Sequence, residues 1–295
     1  MSRSLFALFL VTGLFVLAVA CSGNQRSDND ETLYIGGIPD QNISLLEERF
    51  GAVAEYLSNE LGIQMEYVPV TEYASLVTAF KNGEIHLAWF GGLTGEQAKA
   101  FTPGSTAIAQ RPLDQSFTSV FIVRAESRAN SLEDLEKGSF TFGSTNSTSG
   151  HLMPRSFLLA AGIDPEKDFN GVPNFSGSHD LTWKLIESGS FDAGALNSAV
   201  WNRAVSDGSV DQSQVRVLME SPAYVDYQWI AHPEIDSIWG KGTLVDMQSA
   251  LFEITGKNDL ESTILDLFET DSFIAVEPGA YDDLEQIAHS LDMLQ

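Results

Sequence analysis

The chain has 295 residues, 43% of them hydrophobic, and sets 41 acidic against 16 basic side chains, a formal net charge of −25 at pH 7. Such an excess of negative charge repels nucleic acid and anionic lipid surfaces, so neither is an expected partner. The acids are scattered along the chain and read as a solvated surface. An anionic ligand would therefore have to be held by local dipoles against the global field.

At the N-terminus Arg3 precedes an apolar run from Leu5 to Ala20, about 16 residues, where a membrane span needs ~20. The length fits the core of a signal peptide, with small residues leading into Cys21. Leu17, Ala18, Val19, Ala20 and Cys21 resemble a bacterial lipobox, at which the signal is removed and the cysteine carries lipid. Cys21 is also the only cysteine. One thiol cannot form an internal disulfide, so an anchoring role is expected of it. The expected organisation is a signal peptide over 1–20, a polar lipidated tether over 21–31, and a folded body. That body, of about 265 residues, exceeds what one core usually holds, so two lobes are expected.

The body alternates strands and helices. TLYIGGIP (Thr32 to Pro39) is a strand ending in glycines and a proline. Leu45 to Leu61 places Leu46, Phe50, Val53, Ala54, Leu57 and Leu61 at helical spacing. MEYVPV (Met65 to Val70) is a strand, Tyr73 to Asn82 a helix stopped by Gly83, and IHLAWFGG (Ile85 to Gly92) a strand apolar enough to be covered on both faces. This βαβαβ order implies a parallel sheet with right-handed crossovers. SVFIVRAES (Ser119 to Ser127) then leaves the first unit, and SLEDL reads as a short helix capped by Ser131. After the strand SFTFGS come a helix over about 151–161, strands at Gly171 to Phe175 and Phe191 to Asn197 with a helix from Asp180 to Ser188 between them, two more strands (VRVLMES, YQWIAH) and C-terminal helices. The same plan runs twice. The expected division is lobe 1 over 32–123 plus 230–295, and lobe 2 over 124–229.

Four stretches carry a family resemblance: VTEYASLVTAF (Val70 to Phe80), GEIHLAWFGGLTGEQAKA (Gly83 to Ala100), FGSTNSTSGHLMP (Phe142 to Pro154), and FSGSHDLTWKLIESGSFDAGALNSAVW (Phe175 to Trp201). In order and spacing they resemble the phosphonate/phosphite substrate-binding proteins of ABC importers. That resemblance implies an α/β type II periplasmic-binding-protein fold, two α/β lobes with a ligand cleft between them. It further implies a monomer that hands a small oxyanion to an ABC permease in the inner membrane, without cofactor or metal. By the same resemblance Ser147, Thr148 and Ser149 supply hydroxyl and amide donors, and Gly150 and His151 add backbone N–H groups. A helix start favours an anion on physical grounds too, through its unpaired N–H groups and partial positive charge. Tyr73 is implied as a tyrosine closing from the first lobe, and Phe90 as a ligand-facing aromatic, with one of Trp89 and Phe90 in the core. His179 is implied as a donor from the second lobe, whose charged form would strengthen anion binding at lower pH. Asp226 matches the family's second carboxylate.

One departure bears on the ligand. Relatives that hold aminoalkyl phosphonates carry a glutamate after the strand ending near Asn197, where this chain reads ALNSAVW, without an acid. A bare or alkylated oxyanion therefore fits better: phosphite, hypophosphite, methylphosphonate or phosphate. The GIPD…VTEYA…AWFGG pattern also resembles a subgroup associated with selenate, and the same fold can present its ligand to a receptor kinase. An enzyme is not expected. There is no G-x-S-x-G, H-E-x-x-H or P-loop motif, and His86, His151, His179, His232 and His289 lack metal-ligand spacing.

Overall fold

The computed structural model describes residues 31–294. The expected signal peptide, Cys21 and nearly all of the tether lie outside the described residues. Lobe 1 opens with β1 (Leu33–Gly37), α1 (Ile43–Leu61), β2 (Met65–Tyr67), α2 (Tyr73–Lys81), β3 (Leu87–Phe90), α3 (Gly92–Phe101) and β4 (Thr106–Ala109). In α1 the six residues at helical spacing are all buried. Its N-terminus is closed by Asn42, whose side chain accepts from the Ser44 N–H at 2.9 Å. β3 is buried at all four positions, as a central strand covered on both faces requires.

The chain then builds β5 (Ser119–Arg124), β6 (Phe140–Phe142), a π-helical turn (Thr148–Leu152) running into α4 (Met153–Ala160), β7 (Asn174–Phe175), α5 (His179–Glu187), β8 (Ala193–Asn197), α6 (Ser198–Ser206) and β9 (Val215–Glu220). It returns through β10 (Gln228–Ala231) and closes with α7 (Ile235–Trp239), α8 (Thr243–Phe252), α9 (Asp259–Phe268) and α10 (Asp282–Ser290). The strand orders are β2-β1-β3-β10-β4 and β7-β6-β8-β5-β9. Each sheet is a parallel trio followed by one antiparallel strand that arrives from across the lobe boundary, β10 in the first and β5 in the second. The two-lobed α/β architecture is as expected. Among the described residues no helix is long and apolar enough to cross a membrane.

The lobe boundary differs from the expected 123/124 and 229/230. β5 pairs along its length with β8 and β9, so it belongs wholly to lobe 2, and β10 already joins lobe 1 at Gln228. The chain crosses before Ser119 and returns before Gln228. The reason is that SVFIVR is buried at five of its six positions and must pair on both edges, and only the second sheet supplies both partners. The two crossings pair with each other: the Phe117 N–H donates to the Tyr224 carbonyl at 2.7 Å, and the Tyr224 N–H to that of Phe117 at 2.9 Å. A buried ion pair, Arg111 Nη2 to Asp114 Oδ1 at 2.7 Å, fixes the first crossing. A smaller difference concerns Ser131. The Asp134 carboxylate, not Ser131, closes the short helical turn at Glu133–Leu135, accepting from the N–H groups of Asn130 and Ser131 at 2.8 and 3.1 Å.

Candidate ligand-binding cleft

β6 delivers the chain to the lobe boundary, and Ser147 begins the helix there. Its Oγ accepts the Gly150 N–H at 2.9 Å, which leaves its own hydroxyl hydrogen free to donate. Thr148 Oγ1 accepts the Leu93 N–H from lobe 1 at 2.9 Å, again leaving a hydroxyl hydrogen. The Ser149 carbonyl is held by the Ser119 hydroxyl at 2.7 Å. All three side chains are buried. A methyl group on Gly150 would lie 3.0 Å from Gly143 Cα and 3.1 Å from His179 Cε1, so the turn closes only with glycine there. The first N–H groups of this helix have no intrahelical acceptor and carry the positive end of its dipole.

Three further side chains converge on the turn. Tyr73, the first residue of α2, is buried with its hydroxyl unpartnered. Burial, reinforced by Asp40, holds it well above the usual tyrosine pKa, so it is an O–H donor; the Ser147 hydroxyl lies close enough to offset part of that rise without making a well-formed hydrogen bond. His179, at the start of α5, accepts the Asn197 N–H on Nδ1 at 3.3 Å, so its proton sits on Nε2, which is buried and unpartnered. Burial pulls its pKa down to about 4. The imidazole is therefore neutral at ordinary pH and available as a single-proton donor, and its charged form is confined to acid pH. Asp226 Oδ1 accepts the Gly92 N–H at 3.0 Å, while Oδ2 is buried without a partner. Burial is the largest influence on Asp226 and pushes it up to about 7; the Thr148 and Ser149 hydroxyls favour the charged form, though neither makes a well-formed bond to Oδ2.

The lobes touch at Gly91. A methyl group there would lie 3.2 Å from both Asp226 Oδ1 and Thr148 Oγ1. α3 begins at this contact and went unread in the sequence, because its N-cap is Gly91, which has no side chain to close the helix. Asp226 and Thr148, 134 and 55 positions away, perform that role.

Two expected site residues, Gly150 and Phe90, sit differently, while the His151 side chain, of which only the backbone N–H was expected to serve a ligand, supports the turn. The His151 ring packs against Phe142 and Phe175, each at 4.8 Å between centroids. Its Nδ1 meets the Thr145 carbonyl at 2.7 Å and its Nε2 accepts from Arg155 Nε at 2.9 Å. The side chain thus buttresses the turn. The Gly150 N–H, expected to face a ligand, is the one taken by Ser147. Arg155 itself turns to Glu166 at 2.9 Å. Trp89 and Phe90 are both in the lobe 1 core: Trp89 stacks on Tyr227 at 5.5 Å, and Phe90 meets Phe80 edge-on at 5.4 Å.

Sequence reading missed Asp40, Asn197 and Tyr227. The Asp40 carbonyl accepts the His179 N–H across the boundary at 3.0 Å. Its carboxylate accepts the Tyr227 hydroxyl at 2.9 Å and faces Arg49 Nη1 at 3.9 Å. Its place just beyond the C-terminal end of β1, where crevices open in parallel sheets, was the available signal.

The sequence matches the family of ABC transporter phosphonate periplasmic substrate-binding proteins over residues 35–281. It is 39% identical over 294 residues to the probable ABC transporter phosphite binding protein PhnD1 of Prochlorococcus marinus (strain MIT 9301), covering 97% of this chain and 98% of that one. It is 28% identical over 223 residues to the phosphate-import protein PhnD of Mycolicibacterium smegmatis, 70% of each chain. The solved structure of the Prochlorococcus PhnD1 in complex with methylphosphonate matches with a TM-score of 0.87 at 40% identity, covering 90% of this chain and all of that one. The chain therefore belongs to the periplasmic phosphonate-binding proteins of ABC transporters, which bind their substrates and do not turn them over.

Proposed function

We propose that the cleft captures a small tetrahedral phosphorus oxyanion of the phosphite or methylphosphonate type and that the loaded protein delivers it to an ABC permease in the inner membrane. The observation that carries this reading is the pattern of unsatisfied groups. Tyr73 Oη and His179 Nε2 are buried donors without partners, the Ser147 hydroxyl lies near Tyr73 and those of Thr148 and Ser149 near Asp226, and Asp226 Oδ2 is a buried acceptor without a partner, as is Asp40 Oδ1 beside Arg49. A buried polar group left unpaired costs about 1–3 kcal/mol, so this set calls for a ligand with several anionic oxygens and one shared proton.

Phosphorus oxyanions whose last ionisation falls near neutral pH satisfy that requirement. Either the ligand brings the proton to an ionised Asp226, or a protonated Asp226 donates to a fully ionised ligand. Sulfate and selenate bring no proton at neutral pH and depend wholly on a protonated Asp226, whereas phosphorus oxyanions can use either route, so the selenate reading is the weaker one. An aminoalkyl phosphonate would lack a counter-charge. No acid directly follows β8, Asp226 Oδ1 already closes α3, and Asp40 accepts from Tyr227 on Oδ2 while its Oδ1, without a hydrogen-bond partner, lies 3.9 Å from the Arg49 guanidinium that balances its charge. The relatives' phosphite-binding name and methylphosphonate complex point the same way. Presentation to a receptor kinase uses the same cleft and is distinguished by the partner that copurifies with the loaded protein.

Calorimetric titration with phosphite, methylphosphonate, aminoethylphosphonate, phosphate, sulfate and selenate tests the reading. Micromolar or tighter binding of phosphite or methylphosphonate is expected, with sulfate and selenate far weaker. Selenate binding as tight as phosphite would sink the shared-proton argument. The N-terminal segment is proposed to hold the protein at a membrane through lipid on Cys21. Cys21→Ser should move the protein from the membrane to the soluble periplasmic fraction.

A further inference from the structure

The chain of bonds behind His179 has a direction that its neighbours determine. The Val200 N–H, at the start of α6, donates to Asn197 Oδ1 at 3.0 Å, which identifies the other side-chain atom of Asn197 as the NH2 group. That NH2 donates to Tyr227 Oη at 2.8 Å, and the Tyr227 hydroxyl in turn donates to Asp40 Oδ2 at 2.9 Å. Asn197 stands at the end of β8 in lobe 2, while Tyr227 and Asp40 belong to the buried fabric of lobe 1. The Asn197–Tyr227 bond therefore exists only when the lobes meet. The same is true of the bond from the His179 N–H to the Asp40 carbonyl at 3.0 Å. Asn197 also acts through its main chain, since its backbone N–H occupies His179 Nδ1 and so fixes the proton on Nε2.

We propose that Asn197, Tyr227 and Asp40 form a closure latch that couples the meeting of the lobes to the positioning of His179 as a donor. This rests on the ligand reading above and adds to it residues whose side chains are paired with one another across the boundary. When lobe 2 swings in, Asn197 finds Tyr227 and the N-terminus of α5 finds Asp40. The main chain of His179 is then held by Asp40, while its ring is held within lobe 2 by the N–H of Asn197, whose side chain reaches the Asp40 carboxylate through Tyr227. Binding energy at Nε2 and interlobe bonding become parts of one closed state, which slows ligand release. Approach of the ligand to the open cleft needs none of these bonds, so the latch acts on the off-rate.

The test uses Tyr227→Phe, which deletes one oxygen and keeps the ring stacked on Trp89, and Asn197→Asp, which keeps the α6 cap but turns the donor toward Tyr227 into an acceptor. Fluorophores at Val172→Cys and Val245→Cys in a Cys21→Ser background report interlobe distance from exposed positions in opposite lobes, 84% and 61% accessible. Stopped-flow and energy-transfer titrations are run with phosphite and methylphosphonate on the purified proteins. Release is expected to accelerate about tenfold in each variant, the scale of one lost hydrogen bond to a charged network. The association rate should stay within twofold, and the closed fraction at saturation should fall. Wild-type release and a wild-type closed fraction in both variants would overturn the latch, as would a loss confined to the association rate. If the unaltered protein binds neither oxyanion, the ligand reading fails and the latch falls with it; binding by the unaltered protein with unaffected variants overturns the latch alone.

Discussion

Two helix starts face each other across the lobe boundary and end in opposite states. At α3 the protein consumes the N–H groups itself: Asp226 takes that of Gly92 and Thr148 that of Leu93. At Ser147 the protein consumes little beyond the Gly150 N–H, and it surrounds the turn with unpartnered donors from Tyr73 and His179. The two are linked, because the groups that close α3 are themselves members of the cleft. Closing α3 leaves Asp226 with one spare oxygen and Thr148 with one spare hydrogen. One helix start is thus used to orient side chains, and the other, on the proposed function, is kept for an anion. In a chain of net charge −25 this division would let neutral donors hold that anion while the nearby cations are committed elsewhere, Arg111 to Asp114 and Arg155 to Glu166.

The largest way to break the contrast is to remove the donors at Ser147. The combined change Ser147→Ala, Thr148→Ala and Ser149→Ala should weaken binding by at least about a thousandfold, since each hydrogen bond to a charged group contributes about 1.5–3 kcal/mol. Titration calorimetry reads the loss, and an affinity within tenfold of the original would remove this turn from the site. Next is the spare oxygen of Asp226. Asp226→Asn preserves the acceptor for Gly92 but replaces the shared proton with a fixed donor. Sulfate and selenate should gain affinity relative to phosphite, by about 10–100-fold in the ratio, the range of a 1.4–2.8 kcal/mol change.

The same oxygen gives the unaltered protein a pH signature. Its carboxyl has a pKa raised to about 7, so the proton it shares with the ligand is available below that pH and is lost as pH rises through it. Above both this value and the ligand's last ionisation, the dissociation constant should rise about tenfold per pH unit, and Asp226→Asn should flatten the slope. A pH-independent constant from pH 6 to 9 would contradict the shared proton.

A smaller effect is expected at the contact between the two starts. Gly91→Ala places a methyl group 3.2 Å from both Asp226 Oδ1 and Thr148 Oγ1, so the lobes must part slightly. A loss of about 1–2 kcal/mol in binding is expected, with much less change in the unfolding temperature of the ligand-free protein. The smallest effect on binding belongs to His151. His151→Gln should cost about 1 kcal/mol of stability through its bonds to Thr145 and Arg155. Its dissociation constant should stay within about threefold, a shift below 0.7 kcal/mol.

Much of this was legible in local pattern. The apolar spacing of α1, the continuous burial of β3 and the hydroxyl-rich run before α4 each follow from neighbours in sequence, and each element formed where that pattern placed it. What local pattern could not carry were bonds closed by distant residues. α3 was invisible because its two caps come from 134 and 55 positions away. β5 was legible as a strand but not as a member of the second sheet, since burial on both faces names no partner. His179 was legible as a donor, but not which of its ring nitrogens carries the proton, which the Asn197 N–H decides, nor how far burial lowers its pKa.

The sequence by itself determined the repeated βαβαβ plan, the acidic surface and the run of donors at Ser147, because propensity, periodicity and charge are properties of segments. Only the tertiary structure decided which donors remain free, which carboxylate oxygens lack a partner, and how Asp40, Tyr227 and Asn197 stand behind His179. Those outcomes depend on which groups meet when two lobes close and water is excluded, and hydrogen-bond satisfaction is settled only at that stage.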